Sequence, residues 1–292
     1  MIRGGVYRFD RPATTGLGDR LAQYVQLATI AELWDITIVT RWDTTTHRSA
    51  EYPRDVADFV TLPDRLLFVV DPARYDALGS VVNTGAWFRP GFDFVPETSF
   101  WMLSKARLLP ANTTWNVYKR AHRSTLAQVL PTEDFVGIAL SGTNDTSDYV
   151  GVHLRRGDRG GPVHEIPDDL RRYLDSTPRS RWHRIVSDSE TARKRACALV
   201  ACLPDLPRVP HRLRALRDFF VLARATEVVV SQPTFPGWSS FSFMAASVGE
   251  VPLVACVHPA RWEELSRACE CHIAIRKRCE RDWNASAHGV YV

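Results

Sequence analysis

Short apolar runs recur along the chain, at Val6 to Phe9, Ile36 to Thr40, Ala57 to Thr61, Leu66 to Val70, Val150 to Leu154, Arg184 to Ser187, Glu227 to Ser231 and Val251 to Val257. Each has the length and branched-residue content of a strand. Between them the apolar positions change period. Leu21, Tyr24, Val25, Ala28, Ala31 and Leu33 recur mainly at three- and four-residue intervals and predict an amphipathic helix over 17–33. Helices are likewise predicted over Tyr118 to Val129, from Pro167-Asp168-Asp169 to Leu174, over Asp188 to Leu203, Arg212 to Ala225, Phe241 to Val248 and Ala260 to Cys271. Alternating strands and helices imply βαβ units around a parallel sheet. The interval Pro131 to Asp148 is polar and rich in Gly, Thr, Asn and Asp, which predicts a boundary there. The expected organisation is an N-terminal α/β domain over 1–133, a linker over 134–147 and a C-terminal α/β domain over 148–292.

At 292 residues with 45% hydrophobic content, the chain has enough apolar surface for two such domains. No apolar run reaches the roughly 18 to 20 residues of a membrane span, and the start lacks an apolar leader, so a soluble protein is expected. A net charge of +4 suits an anionic ligand, but 37 basic residues are spread among 33 acidic ones, which argues against a nucleic-acid surface. The six cysteines, Cys197, Cys202, Cys256, Cys269, Cys271 and Cys279, include no Cys-x-x-Cys pair and read as buried free thiols rather than as a metal site. Asn112, Asn144 and Asn284 each open a glycosylation sequon, which matters only if the chain is secreted. Aromatics crowd the stretch from Ala86 to Trp115, with Trp87, Phe88, Phe92, Phe94, Phe100 and Trp101. They could stack on a sugar acceptor, but core and loop packing is the stronger reading.

The candidate chemistry gathers at one stretch, Tyr149-Val150-Gly151-Val152-His153-Leu154-Arg155-Arg156-Gly157-Asp158. A buried strand there delivers two arginines and an aspartate just past its carboxyl end, where open α/β sheets bind ligands. Arginine binds phosphate oxygens in pairs and does not deprotonate. The plain alternative is an Arg-Asp ion pair at a strand end. Near the N-terminus, Gly16-Leu17-Gly18-Asp19 opens a helix, and free backbone amides at such a start suit a phosphate or a sugar hydroxyl.

The spacing His153-x-Arg155-Arg156-x-Asp158 resembles the first motif of the GDP-fucose-dependent fucosyltransferases, the α1,2/α1,6 and protein O-fucosyltransferase-like superfamily. Ile185-Val186-Ser187-Asp188-Ser189-Glu190 is similar to its second motif, in which a Ser-Asp pair ends a strand and caps the next helix. Asp218 is similar to the aspartate that reads the guanine edge, and Ser239-Ser240-Phe241-Ser242 resembles the serine-rich third motif that meets the phosphate. The glycine loop at Gly16 and Gly18 agrees with the same superfamily. Counted without gaps, the third motif falls on Thr234 instead, so Thr234 stays open beside Ser240 and Ser242.

The resemblance implies a GT-B fold, two Rossmann-like domains facing each other. It implies inverting, metal-independent transfer of L-fucose from GDP-fucose to a glycan or protein hydroxyl, with no cofactor. Arg155 would bind the β-phosphate with Arg156 beside it, His153 would lie against the nucleotide, and Asp158 and Asp188 would complete the donor site. The base is open: Glu165 stands two residues past the expected position, which is Val163, and Asp19, Asp10 and His164 are rivals. Expected partners are the nucleotide sugar and a glycan or glycoprotein acceptor. The resemblance fits either a cytoplasmic enzyme of bacterial or viral type or the lumenal part of a secretory one. Two alternatives remain, a transferase for another nucleotide sugar and a binding module without turnover.

Overall fold

The structure is a computed structural model that describes residues 6–8, 16–40, 58–68, 77, 80–81, 96–141, 148–155, 165–231, 239–257 and 289–291. Two units divide it, Met1–Ala139 with Val209–Leu216, and Leu140–Arg208 with Arg217–Val292.

In the first unit, β1 (Val6–Arg8) leads to α1 (Leu17–Trp34), β2 (Thr37–Thr40), β3 (Val60–Thr61), β4 (Leu66–Phe68) and β5 (Ser80–Val81). Strands β4, β2, β1 and β5 form a parallel sheet in that order. Helices α2 (Pro96–Lys105) and α3 (Trp115–Leu126) follow, then β6 (Leu130–Pro131), which pairs antiparallel with β3. Helix α2 starts at a proline, whose fixed φ and missing N–H suit the first helical position; the aromatic content of this stretch hid that signal. Helix α3 begins earlier than Tyr118 because Thr114 caps it, its hydroxyl accepting from the Val117 N–H at 3.4 Å.

The expected amphipathic character of α1 does not hold, since almost every residue from Leu17 to Ala31 is buried. Its polar stripe is covered by α2 and α3 and finds partners there. Gln26 Nε2 donates to Ser99 Oγ at 2.6 Å, and Thr29 Oγ1 lies 3.3 Å from His122 Nδ1 and 3.0 Å from Thr125 Oγ1. Buried polar groups paired in this way cost the fold little. The aromatics pack mainly among themselves: Phe100 meets Trp115 and Tyr118 at ring distances of 5.6 and 5.5 Å. Trp101 alone of these stays 63% exposed. Trp87, Phe88, Phe92 and Phe94 lie outside the described residues.

The second unit runs β7 (Tyr149–Leu154), α4 (Asp168–Ser176), β8 (Trp182–Ser187), α5 (Glu190–Cys197), β9 (Ala201–Cys202), α6 (His211–Ala223), β10 (Glu227–Ser231), α7 (Ser240–Gly249), β11 (Leu253–Val257) and β12 (Gly289–Tyr291). Helix α6 crosses the division between the units. The sheet order is β12-β11-β10-β7-β8-β9, parallel except for β12 at the edge. All six residues of β7 are buried. Val150, Val152 and Leu154 pack with Leu170, Tyr173 and Leu174 of α4 and Ala192 and Ala196 of α5. On the opposite face Tyr149 Oη donates to the Val221 carbonyl of α6 at 2.6 Å. A strand covered on both faces must be apolar without interruption, which is why the period-two signal is absent here.

The helix expected over Asp188 to Leu203 ends at Cys197, and the chain turns back into β9. This also corrects the cysteines. Cys197 and Cys202 form a disulfide with Cα atoms 5.4 Å apart. Five residues along a continuous helix, the two side chains would point about 140° apart and could not be bridged. The helical expectation therefore excluded the bond. The predicted helix over Ala260 to Cys271 and the cysteines within and beyond it lie outside the described residues.

Candidate functional site

Strand β7 is the first of its unit; β8 and β9 lie to one side of it, β10 and β11 to the other. The strand order reverses between β7 and β10, and ligands of such sheets sit at the carboxyl ends beside that reversal. His153 is the penultimate residue of β7 and pairs in register with Val230 of β10. Arg155 leaves the strand one residue past its end and is half-buried.

Helix α7 follows β10 and brings its first turn to the same place. Ser239 caps it, its hydroxyl accepting from the Ser242 N–H at 3.4 Å. His153 Nδ1 lies 2.5 Å from Ser242 Oγ and 3.2 Å from Ser239 Oγ. The Phe241 ring packs against the imidazole at 5.1 Å, and Phe219 of α6 meets Phe241 edge-on at 5.6 Å. Thus β7, α6 and α7 converge on His153. Ser240 and Ser242 are buried. Thr234 lies outside the described residues.

The end of β8 adds a further link. Ser187 Oγ donates to the Leu154 carbonyl at 2.7 Å and accepts from the Ser189 N–H at 3.0 Å, tying the ends of β7 and β8 together beside Arg155. Ser189, rather than the Ser187-Asp188 pair, caps α5, accepting from the Ala192 N–H at 3.3 Å. Asp188 is exposed between them. Asp218 sits on α6 beside Phe219, and its Oδ1 accepts from both Nε and Nη2 of Arg217 at 2.9 and 2.7 Å. Sequence reasoning missed Ser187 and Phe219 as site residues. The first was visible as the opening serine of a strand-end Ser-Asp pair. No local signal marked the second.

The remaining candidates belong to other elements or lie outside the described residues. Arg156, Asp158, Val163, His164 and Asp10 lie outside the described residues. Glu165 is exposed, two residues before the Pro167 that opens α4. Gly16 and Gly18 belong to the first unit, where Gly16 is the N-cap of α1 with extended backbone and Asp19 stands in the first turn. A carboxylate in that turn complements the helix dipole. Among the described residues no group of three or more His, Cys, Asp or Glu side chains is placed to hold a metal ion. No helix among them is long and apolar enough to cross a membrane.

Burial, and after it the positive charge of Arg155, lowers the His153 pKa to about 3. Burial also lowers that of His183 on β8. Both imidazoles are therefore neutral at pH 7. An unfolded histidine titrates near pH 6.5, so below that value the unfolded chain takes up protons that the folded one refuses. Stability should be flat above about pH 6.5 and fall below it, in the case of His153 down to about pH 3, by up to ~1.4 kcal/mol per pH unit for each imidazole that stays unprotonated in the folded state. Thermal unfolding from pH 8 to 4 checks this. His153→Asn should have a shallower acid limb than the wild type, and identical limbs would place the titration elsewhere.

No protein-family model matches the chain, and no curated protein matches it in sequence. Solved structures do resemble it in fold. The fucosyltransferase NodZ from Bradyrhizobium shares 18% identity over 87% of this chain and 96% of its own, with a TM-score of 0.55. NodZ α-1,6-fucosyltransferase co-crystallised with GDP superposes at a TM-score of 0.54, and the same enzyme soaked with GDP-fucose at 0.53. Each of these two is 18% identical to this chain, covering 87% of it and 95% of the other chain. At such identity the likeness establishes the α/β fold expected from the alternating pattern.

Proposed function

We propose that the protein is a glycosyltransferase that moves L-fucose from GDP-fucose to a hydroxyl of a glycan or protein, with inversion and without a metal ion. The observation that carries this reading is the cluster at the strand-order reversal of the second unit, where Arg155, His153 and the serine-rich start of α7 meet. It is supported by a fold shared with an α-1,6-fucosyltransferase that has been crystallised with GDP and soaked with GDP-fucose.

A sugar-nucleotide transfer needs a group that stabilises the leaving diphosphate as the bond to the anomeric carbon breaks. Arg155 fills that role, and Arg156, next in the sequence, assists it. Neutral His153 offers a hydrogen bond without adding charge. Asp218 reads the guanine edge, accepting from its N–H donors, while Arg217 orients the carboxylate. The acceptor oxygen attacks the anomeric carbon from the face opposite the diphosphate, the C–O bond to the β-phosphate breaks, and GDP departs with the bonding electrons. The acceptor proton passes to a carboxylate, for which Glu165 is the candidate within the second unit. Arginine does the work that a divalent cation does in other transferases, which is the basis for metal independence.

A thermal-shift titration of the wild type against GDP, UDP, CDP and ADP with chelator present tests the donor. GDP at about 100-fold over its Kd should add roughly 2.7 kcal/mol of stability, and the other nucleotides much less. A response to a different nucleotide would replace the donor sugar, and no response at all would remove the nucleotide site. Release of GDP from GDP-fucose with acceptor, measured next, separates an enzyme from a binding module.

A further inference from the structure

Ser242 is 0% exposed and lies in the first turn of α7, so its hydroxyl has no open path to a ligand in solvent. Its hydroxyl proton must nonetheless find an acceptor, because a buried unsatisfied donor costs about 1–3 kcal/mol. Among the described residues, two acceptors are within reach. Ser239 Oγ, which stands as an acceptor for the Ser242 hydroxyl, lies 3.3 Å away, longer than the usual O–H···O distance. His153 Nδ1 lies 2.5 Å away, at the short end of the range for a hydroxyl donor. A proton on Nδ1 would force the Ser242 hydroxyl onto the longer contact. A lone pair on Nδ1 lets it take the shorter one, with the Ser239 hydroxyl, 3.2 Å from the same nitrogen, as the weaker alternative donor to that one lone pair.

We infer that Ser242 and Ser239 are positioning residues that fix His153 as the Nε2–H tautomer, acting on the bound donor through the imidazole rather than by touching a phosphate themselves. A neutral imidazole has one donor and one acceptor, and committing Nδ1 as acceptor makes Nε2 the donor. Phe241 packed against the ring and the buried strand beneath it hold the orientation. The site gains an N–H, two residues before Arg155, that can donate to an anionic or carbonyl oxygen and does not depend on protonating the ring. That the oxygen belongs to the nucleoside diphosphate rests on the function proposed above; the tautomer does not.

The test is heteronuclear NMR of the His153 ring at pH 7 without ligand, followed by GDP titration. The wild type should show the Nε2–H tautomer. Ser242→Ala should give a tautomer mixture and weaken GDP about 10-fold, with Ser242→Thr restoring both and Ser239→Ala giving a smaller shift in the same direction. An Nδ1–H tautomer in the wild type overturns the inference, as does a tautomer unchanged in both alanine variants. A mixed tautomer with undiminished GDP affinity overturns the role toward the donor. If the wild type shows the Nε2–H tautomer but does not bind GDP, the donor reading fails while the positioning of His153 stands. Should Ser242→Ala not fold, the Ser239→Ala and Ser242→Thr spectra decide the tautomer assignment.

Discussion

Replacing Arg155 with alanine should abolish the stabilisation by GDP and lower kcat by about 10²–10³, the usual loss when a fixed group facing developing charge is removed. The position explains the size of the effect. Arg155 is one residue beyond a strand buried on both faces, with the preceding carbonyl of Leu154 tied to Ser187, so its backbone is anchored where the sheet order reverses. An arginine on a free loop would pay more ordering entropy for the same contact. Arg155→Lys keeps the charge without the planar fork and should recover only part of the activity. The readouts are the GDP thermal shift and initial rates with saturating GDP-fucose, with circular dichroism to confirm folding. A variant that still responds to GDP as the wild type does would move the phosphate site away from the end of β7.

The second large effect concerns the packing that delivers α7 to His153. A Cβ at Gly249 would lie 1.9 Å from the carbonyl oxygen of Ala223 and 2.8 Å from its carbonyl carbon. These are backbone atoms of α6, so no rotamer change relieves the clash; the two helices must separate. Gly249→Ala should cost about 3 kcal/mol, at the upper end for overpacking, and lower the unfolding midpoint by roughly 10 °C. Gly151 makes the comparison. There a Cβ would meet Leu222 Cδ2 and Ala225 Cβ at 3.0 Å; the Leu222 side chain can rotate, while Ala225 Cβ has to give only a few tenths of an ångström with its backbone. Gly151→Ala should therefore cost less than Gly249→Ala. Because α7 carries Ser239 and Ser242, Gly249→Ala should also weaken GDP binding, while the reverse order of stabilities would mean that α6 and α7 are not in such close contact.

Much of this was legible in the sequence. The Val150 to Leu154 run marked the central strand because a strand with helices on both faces has to be apolar throughout. That Arg155 and Arg156 follow its carboxyl end was readable as well, because chain direction alone fixes which end of a parallel strand is its carboxyl end. The serines at 239–242 were visible as a helix start, since capping is a local interaction between neighbouring residues. Three things were not legible. Periodicity could not distinguish helix from strand in the apolar residues 198–203, so the turn into β9 and the Cys197–Cys202 bond were missed. The buried polar stripe of α1 read as solvent-facing, because its covering partners, Ser99, His122 and Thr125, come from helices about 70 to 100 residues away. Phe219 had no mark at all.

What the sequence by itself determined is the order of the main strands and helices and that Arg155 follows directly on β7, since both follow from short-range periodicity, capping and strand direction. What only the tertiary structure decided is which side chains meet. His153 is 89 residues from Ser242, and the first turn of α7 reaches it only because β10 pairs beside β7, reversing the strand order, and because the glycine at the far end of α7 lets it close on α6. Pairing order and interhelical distance are set by the packing of the whole sheet, to which no single segment of sequence has access.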